Sequence, residues 1–155
     1  APGNLPPHSK RGDVFRQAAV KALDTLSRNP NGFFLMIEGS NIDKAAHSNN
    51  LEEMMEELLD FDRTAGAVLD WASKHPGTLV VITADHNTGA FALTGGSREQ
   101  GEITGRFGSG SHDGVAVPVY AFGAGSGDFT GIYENTDIFN KIMNALKKGA
   151  DKPVR

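Results

Sequence analysis

Cysteine is absent from all 155 residues, which excludes disulfides and thiolate metal sites. Any zinc must be held by histidine and carboxylate, and the redox compartment stays open. Long apolar runs are missing as well. The longest, Phe33–Ile37 and Leu79–Thr83, fall far short of the roughly 20 residues that span a bilayer. Clustered positive charge is also lacking: the net charge is -4 and the pI about 5.7. Nucleic-acid binding needs a basic patch, so that class is excluded. The amino-terminal stretch APGNLPPHSKRGD lacks the charged and apolar regions of a secretion signal, and reads as a chain entered in mid-protein.

What is present suits one globular domain over 1–155, with 39% hydrophobic residues and 19 glycines for tight turns. Pro2, Pro6 and Pro7 predict an extended segment over 1–11, and residues 149–155 read as a frayed tail. A helix is expected from an Asp13 cap, with Val14, Ala18, Ala22, Leu23 and Leu26 inward, ending at Asn29-Pro30-Asn31-Gly32. A buried strand, Phe33–Ile37, follows. Asn50 and Glu53 form a capping-box pattern ahead of a helix reaching Lys74. Its Leu51, Met54, Met55, Leu58 and Leu59 mark the buried face, with Glu52, Glu53, Glu56 and Glu57 on a solvated one.

Thr78–Thr83 is β-branched without alternation, as in a central parallel strand covered on both sides. Ala90–Leu93 reads as a short strand, 97–114 as a polar excursion, and Val115–Phe122 as a last strand weakened at Pro118. A final helix, Asp137–Lys147, turns Ile138, Phe139, Ile142, Met143 and Leu146 inward. The predicted fold class is α/β: a layered, mostly parallel sheet with helices on both faces and no internal repeat.

Two strands in this reading end in ligand-type side chains, where open α/β sheets place their sites. Phe33–Ile37 runs into Glu38, Asp43 and His47, and Thr78–Thr83 into Asp85 and His86; His112 lies in a glycine-rich loop before the next strand. Singly, each has a plain reading: Glu38 bonding a backbone or an arginine, Asp43 capping a turn, His86 a core histidine steadied by Asp85. Asp43 and His47, however, are four apart and share one side of a helical turn, the spacing that two ligands of one ion require. His8 and His75 lie in a proline-rich tail and a helix stop and are read as surface residues. The set Glu38, Asp43, His47, Asp85, His86 and His112 suits zinc in its His/carboxylate mode, with an oxygen-only position for magnesium. Two such ions would clamp a phosphoryl group. No P-loop, Gly-x-Gly-x-x-Gly turn or Gly-x-Ser-x-Gly elbow is present.

GFFLMIEGSNIDKAAH (32–47), TADHNTG (83–89) and the stretch 112–118 resemble the carboxyl-terminal part of alkaline phosphatase, over nearly the whole chain. The resemblance implies the alkaline phosphatase-like fold and a metal-dependent phosphomonoesterase that passes through a phosphoserine, usually dimeric and periplasmic or secreted. It also implies Asp43, His47 and His112 on a first zinc, Asp85 and His86 on a second, and Glu38 on a magnesium. Asp113 stands where threonine is common in the family. The family's Asp-Ser-Ala nucleophile motif is not among these residues. None of Ser40, Ser48, Ser97, Ser109, Ser111 or Ser126 occupies an equivalent setting, so no catalytic nucleophile is assigned. The expectation is a fragment, inactive or nearly so alone, whose partners are the missing amino-terminal portion or a second copy and, in the parent, a phosphomonoester. Two alternatives remain: a phosphodiesterase, sulfatase or phosphomutase relative, or a noncatalytic metal-binding assembly module.

Overall fold

The computed structural model describes residues 5–150. A helical turn α1 (His8–Arg11) leads into α2 (Val14–Leu26), and residues 27–39 carry the chain to α3 (Ser40–His47) and the long α4 (Leu51–Ser73). Six short strands follow: β1 (Leu79–Ile82), β2 (Asn87–Thr88), β3 (Ala92–Ser97), β4 (Glu102–Arg106), β5 (His112–Asp113) and β6 (Tyr120–Gly123). A 3-10 turn, Ser126–Phe129, precedes α5 (Asp137–Ala150).

The helices sit close to where the sequence puts them, because their start signals are local. Asn50 caps α4 as expected: its side chain accepts from the Glu53 N–H at 3.1 Å and returns a bond to the Glu53 carboxylate at 3.1 Å. The turn at Asn29–Gly32 ends α2 with a Gly32 N–H to Asn29 carbonyl bond of 3.1 Å. Residues 8–11, expected to be extended, form a helical turn instead. Proline at position 7 is tolerated there because it precedes the first turn, whose N–H groups lack intrahelical partners anyway. Of the tail expected over 149–155, residues 149–150 continue α5 and 151–155 lie outside the described residues.

The faces are where the expectations fail. On α2 the buried side chains are Phe15, Ala19 and Leu23, while Val14 is exposed. On α4, Leu58 and Leu59 face out, and the inward residues include Glu57, Asp60 and Thr64 beside Met54, Trp71 and Ala72. An Arg11 side chain reaching both acids accounts for that inversion. On α5, Phe139, Met143 and Leu146 are exposed.

The sheet differs from the expectation as well. Among the described residues every strand pair is antiparallel: β1 with β6, β2 with β5, and β3 with β4. A layered parallel sheet is therefore not what these strands build. Residues 97–114, expected as an excursion, contain β4 folded back on β3. The stretch Phe33–Ile37 has no strand pairing among the described residues, although its burial alternates. Phe33 and Leu35 pack on the core, while Phe34 and Met36 are 61% and 79% exposed. Such alternation marks one covered face rather than two.

Two apolar clusters hold the elements. Leu23, Trp71 and Ala72 join α2 to α4, with Phe33, Leu35, Val68 and Val80 packed against them. Phe33 meets Trp71 edge-on, and the Trp71 indole N–H donates to Asp24 at 2.9 Å. His75 stacks on Trp71 with ring centroids 3.7 Å apart, a structural role in keeping with its omission from the candidate site. The second cluster, Ala45, Ala46 and Met54, ties α3 to α4 and receives Phe91 and Phe107 from either end of the β3–β4 hairpin. It therefore fastens the helix bearing Asp43 and His47 to the region after Asp85–His86.

Candidate metal centre

Asp43 and His47 lie one helical turn apart on α3, and their side chains meet: His47 Nε2 is 3.4 Å from Asp43 Oδ2. The β2–β5 pair brings in the other candidates. Thr88 is opposite His112 and Asn87 opposite Asp113, so two short strands place His86 and His112 side by side with ring centroids 3.5 Å apart. His112 Nε2 then lies 3.0 Å from His47 Nε2 and 3.5 Å from Asp43 Oδ1. Asp43, His86 and His112 each offer a ligand atom, all within 4.8 Å of one another.

Hydrogen bonds fix which atoms are presented. His47 Nδ1 is 2.7 Å from the Gly110 carbonyl, which can only accept. That nitrogen carries a proton, and Nε2 is the atom turned toward Asp43 and His112. The Thr88 hydroxyl donates to Asp43 at 2.6 Å, so its oxygen, 3.2 Å from His86 Nδ1, accepts there. His86 is thereby held with its Nε2 free of that bond, 3.2 Å from Asp85. The chain thus converges a carboxylate and imidazole nitrogens, with His47 held by the Gly110 carbonyl and Asp43 and His86 held by the Thr88 hydroxyl.

The donor set fits a zinc-sized cation. Two ligands about 2.0 to 2.1 Å from a tetrahedral zinc are roughly 3.3 Å apart. His47 Nε2 and His112 Nε2 are 3.0 Å apart and lie 3.4 Å from Asp43 Oδ2 and 3.5 Å from Asp43 Oδ1 respectively. Asp85, with a side chain 84% exposed, touches the cluster through His86 alone among its described polar contacts. Glu38 is not drawn into these contacts. It lines a shallow depression with Leu5, Arg11, Asn41 and Glu57.

Several supporting residues escape a reading based on ligand types. Thr88 bridges Asp43 and His86; its only signal is its place two residues after the histidine. Asp113 accepts from the Asn87 amide at 2.9 and 3.1 Å and from the Ala90 and Val115 N–H groups at 3.1 and 3.0 Å. The Val115 N–H, followed by the Asn87 amide and the Ala90 N–H, holds its carboxyl below the usual carboxylate range. Asp113 thus clasps β5 to β2 and steadies His112. Gly89, at φ +81°, donates to the Ser111 carbonyl and accepts from Gly108 and Ser109, sewing the His112 loop to the Asp85–His86 segment. A Cβ there would lie 2.8 Å from the Phe107 ring and 3.2 Å from the Ala46 carbonyl. The Ser109 hydroxyl, near the site in sequence, bonds only to Ser111 within its own loop.

Comparison with known proteins decides the lineage. A family model described as alkaline phosphatase matches residues 2–105. The chain belongs to the alkaline phosphatase family. Alkaline phosphatase 4 of Bacillus subtilis is 29% identical over 86% of this chain and 44% of its own length. The solved alkaline phosphatase from the Antarctic bacterium TAB5 is 39% identical, with a TM-score of 0.85 over 92% of this chain and 44% of that one. A mutant of the TAB5 enzyme, with magnesium bound in its M3 site, matches with a TM-score of 0.84 at 38% identity, again over 92% and 44%. The chain therefore has the alkaline phosphatase-like fold and spans less than half the length of these relatives.

Proposed function

We propose that these residues form the metal-holding wall of a phosphomonoester hydrolase. The observation carrying this is the convergence of His47 Nε2 and His112 Nε2 on each other and on the two oxygens of the Asp43 carboxylate, at 3.0 to 3.5 Å. In this reading those three hold a first zinc, Asp85 and His86 contribute to a second, and Glu38 serves a magnesium. Bound divalent ions supply Lewis-acid stabilisation of the attacking and leaving oxygens of a phosphoryl group.

The chain's own residues then have separate roles. Gly110 keeps His47 in the tautomer that presents Nε2, Thr88 fixes the Asp43 carboxylate and His86 together, and Asp113 sets the depth of His112. A serine nucleophile, and the phosphoserine formed on it, would come from polypeptide other than these residues, since none of the serines near the cluster has a base or acid partner among its described contacts. Alone, the chain is expected to bind metal and turn over little or nothing. Exposed Phe34, Met36 and Phe139 offer apolar surface to that further polypeptide or to a second copy in a homodimer. No described helix is long and apolar enough to cross a membrane, and family membership favours a periplasmic or secreted location.

The test is hydrolysis by the protein purified from its native source, with aryl phosphate monoester, phosphate diester and sulfate ester assayed side by side. The proposal expects the monoester to be cleaved at least about 100-fold faster, a margin of roughly 2.7 kcal/mol in transition-state stabilisation. Preference for the diester or sulfate ester would move the assignment to another metal hydrolase. Stoichiometric zinc with no hydrolysis of any ester would make the site structural.

A further inference from the structure

Apart from the metal cluster, the strongest unassigned feature is a buried ionic knot between the amino-terminal segment and α4. Arg11 grips Glu57 with both terminal nitrogens, at 2.9 and 2.6 Å, and Asp60 with one, at 2.6 Å. The three side chains are only 5%, 3% and 1% exposed. The His8 backbone N–H adds a bond to Glu57 at 2.8 Å, and the His8 ring lies 3.4 Å from Asp60. Burial pushes the Glu57 carboxyl up, but the Arg11 hydrogen bond, the His8 N–H, the guanidinium charge and Asn41 together hold it below its usual range.

A second connection runs from the same segment to α3. The Pro6 carbonyl accepts from Arg11 at 2.7 Å and also from the Asn41 amide at 3.4 Å, and Asn41 donates again to the Leu5 carbonyl at 3.2 Å. Asn41 is 8% exposed and lies two residues before Asp43 on the short helix that carries both Asp43 and His47. Its side-chain oxygen accepts from Lys44, so the amide orientation is set from both ends. Leu5–Arg11 therefore crosses between α3 and α4, tied to α4 through the buried Arg11, Glu57 and Asp60 side chains and to α3 through buried Asn41.

We propose that this segment is a latch that fixes α3, with Arg11 and Asn41 acting as positioning residues for the metal centre. Buried charges hold only while paired, because an isolated carboxylate pair in the interior is costly. The Arg11 clamp is thus stiff and, through the shared Pro6 carbonyl, sets the seat of Asn41. The buried apolar residues of α3, Ala45 and Ala46, lie in its second turn, so its first turn is seated by buried Asn41, and zinc tolerates little error in ligand separation. The latch bears on metal affinity and so rests on the reading above, whereas its effect on α3 does not.

The test compares Asn41→Ala and Arg11→Met with Leu23→Ala, which weakens the other cluster between α2 and α4. Hydrogen exchange of the α3 amides is followed without metal, and binding of cobalt(II), with its visible absorption, is followed in the same proteins. Asn41→Ala and Arg11→Met should speed α3 exchange more than Leu23→Ala does. They should also weaken cobalt binding about 10- to 100-fold, the range for residues that orient ligands, and alter its visible bands; Leu23→Ala should leave those bands unchanged. Should Arg11→Met fail to fold, Asn41→Ala keeps the buried charges and gives the answer. Exchange no faster than in Leu23→Ala would overturn the latch. Faster exchange with unaltered cobalt affinity and spectrum would overturn its role in positioning ligands. If the unaltered chain binds no cobalt, the metal reading fails, and the exchange rates alone decide whether α3 is latched.

Discussion

His112→Ala should weaken zinc binding by at least about 100-fold, or roughly 2.7 kcal/mol. Removing a ligand should cost more than disturbing a group that orients one, for which 10- to 100-fold is typical. His112 is the residue on which the candidate centre turns: it is 3.0 Å from His47, 3.5 Å from Asp43 and stacked on His86. No other side chain of the cluster contacts all three. Thr88→Val should fall in the milder range, because it keeps every ligand and removes only the hydroxyl that steadies Asp43. His75→Ala should leave affinity unchanged, since that ring stacks on Trp71 in the other cluster. Competition titration against a chromophoric chelator would rank the three. A His112→Ala affinity equal to that of the unaltered chain would remove His112 from the site.

The largest effect on stability is expected from Gly123→Ala. Gly123 has φ +90° and pairs with Leu79 at the end of the β1–β6 ladder. An alanine Cβ would lie 2.2 Å from the Thr78 carbonyl oxygen, a backbone atom that cannot swing away. Left-handed strain costs about 1 to 3 kcal/mol for a residue with a Cβ, and the overlap adds to it. A loss of roughly 3 kcal/mol or more in unfolding free energy is expected, read from urea transitions. β1 leads directly to Asp85 and His86, so zinc affinity should fall with stability. Gly114→Ala is the control, since its Cβ would meet nothing within 4 Å.

Features written locally were legible in the sequence. The four-residue step from Asp43 to His47, the Asn50–Glu53 box and the stop at Asn29–Gly32 each depend on neighbours within a turn, and each has its counterpart in the structure. The burial of Glu57 was not legible, because its partner Arg11 is 46 positions away and no periodicity announces it. A run of four glutamates reads as a solvated face until a guanidinium is known to sit beneath one of them. Strand pairing failed for a related reason. Thr78–Thr83 has the composition of a parallel strand, but its direction is set by β6, some 40 residues on, through a register that composition does not encode. At the site, ligand types picked out Asp43, His47, His86 and His112. Thr88, Asp113 and the Gly110 carbonyl act through hydrogen bonds that appear only once β2 and β5 are paired. Glu38 and Asp85 were nominated by their place at strand ends, and the contacts among the other four do not include Glu38.

The most direct measurement is X-ray absorption at the zinc edge on the chain loaded with one equivalent of zinc. The account predicts a four-coordinate shell of nitrogen and oxygen near 2.0 to 2.1 Å, with the outer-shell scattering of two imidazoles, from His47 and His112. An oxygen-only shell, or one without imidazole scattering, would contradict it.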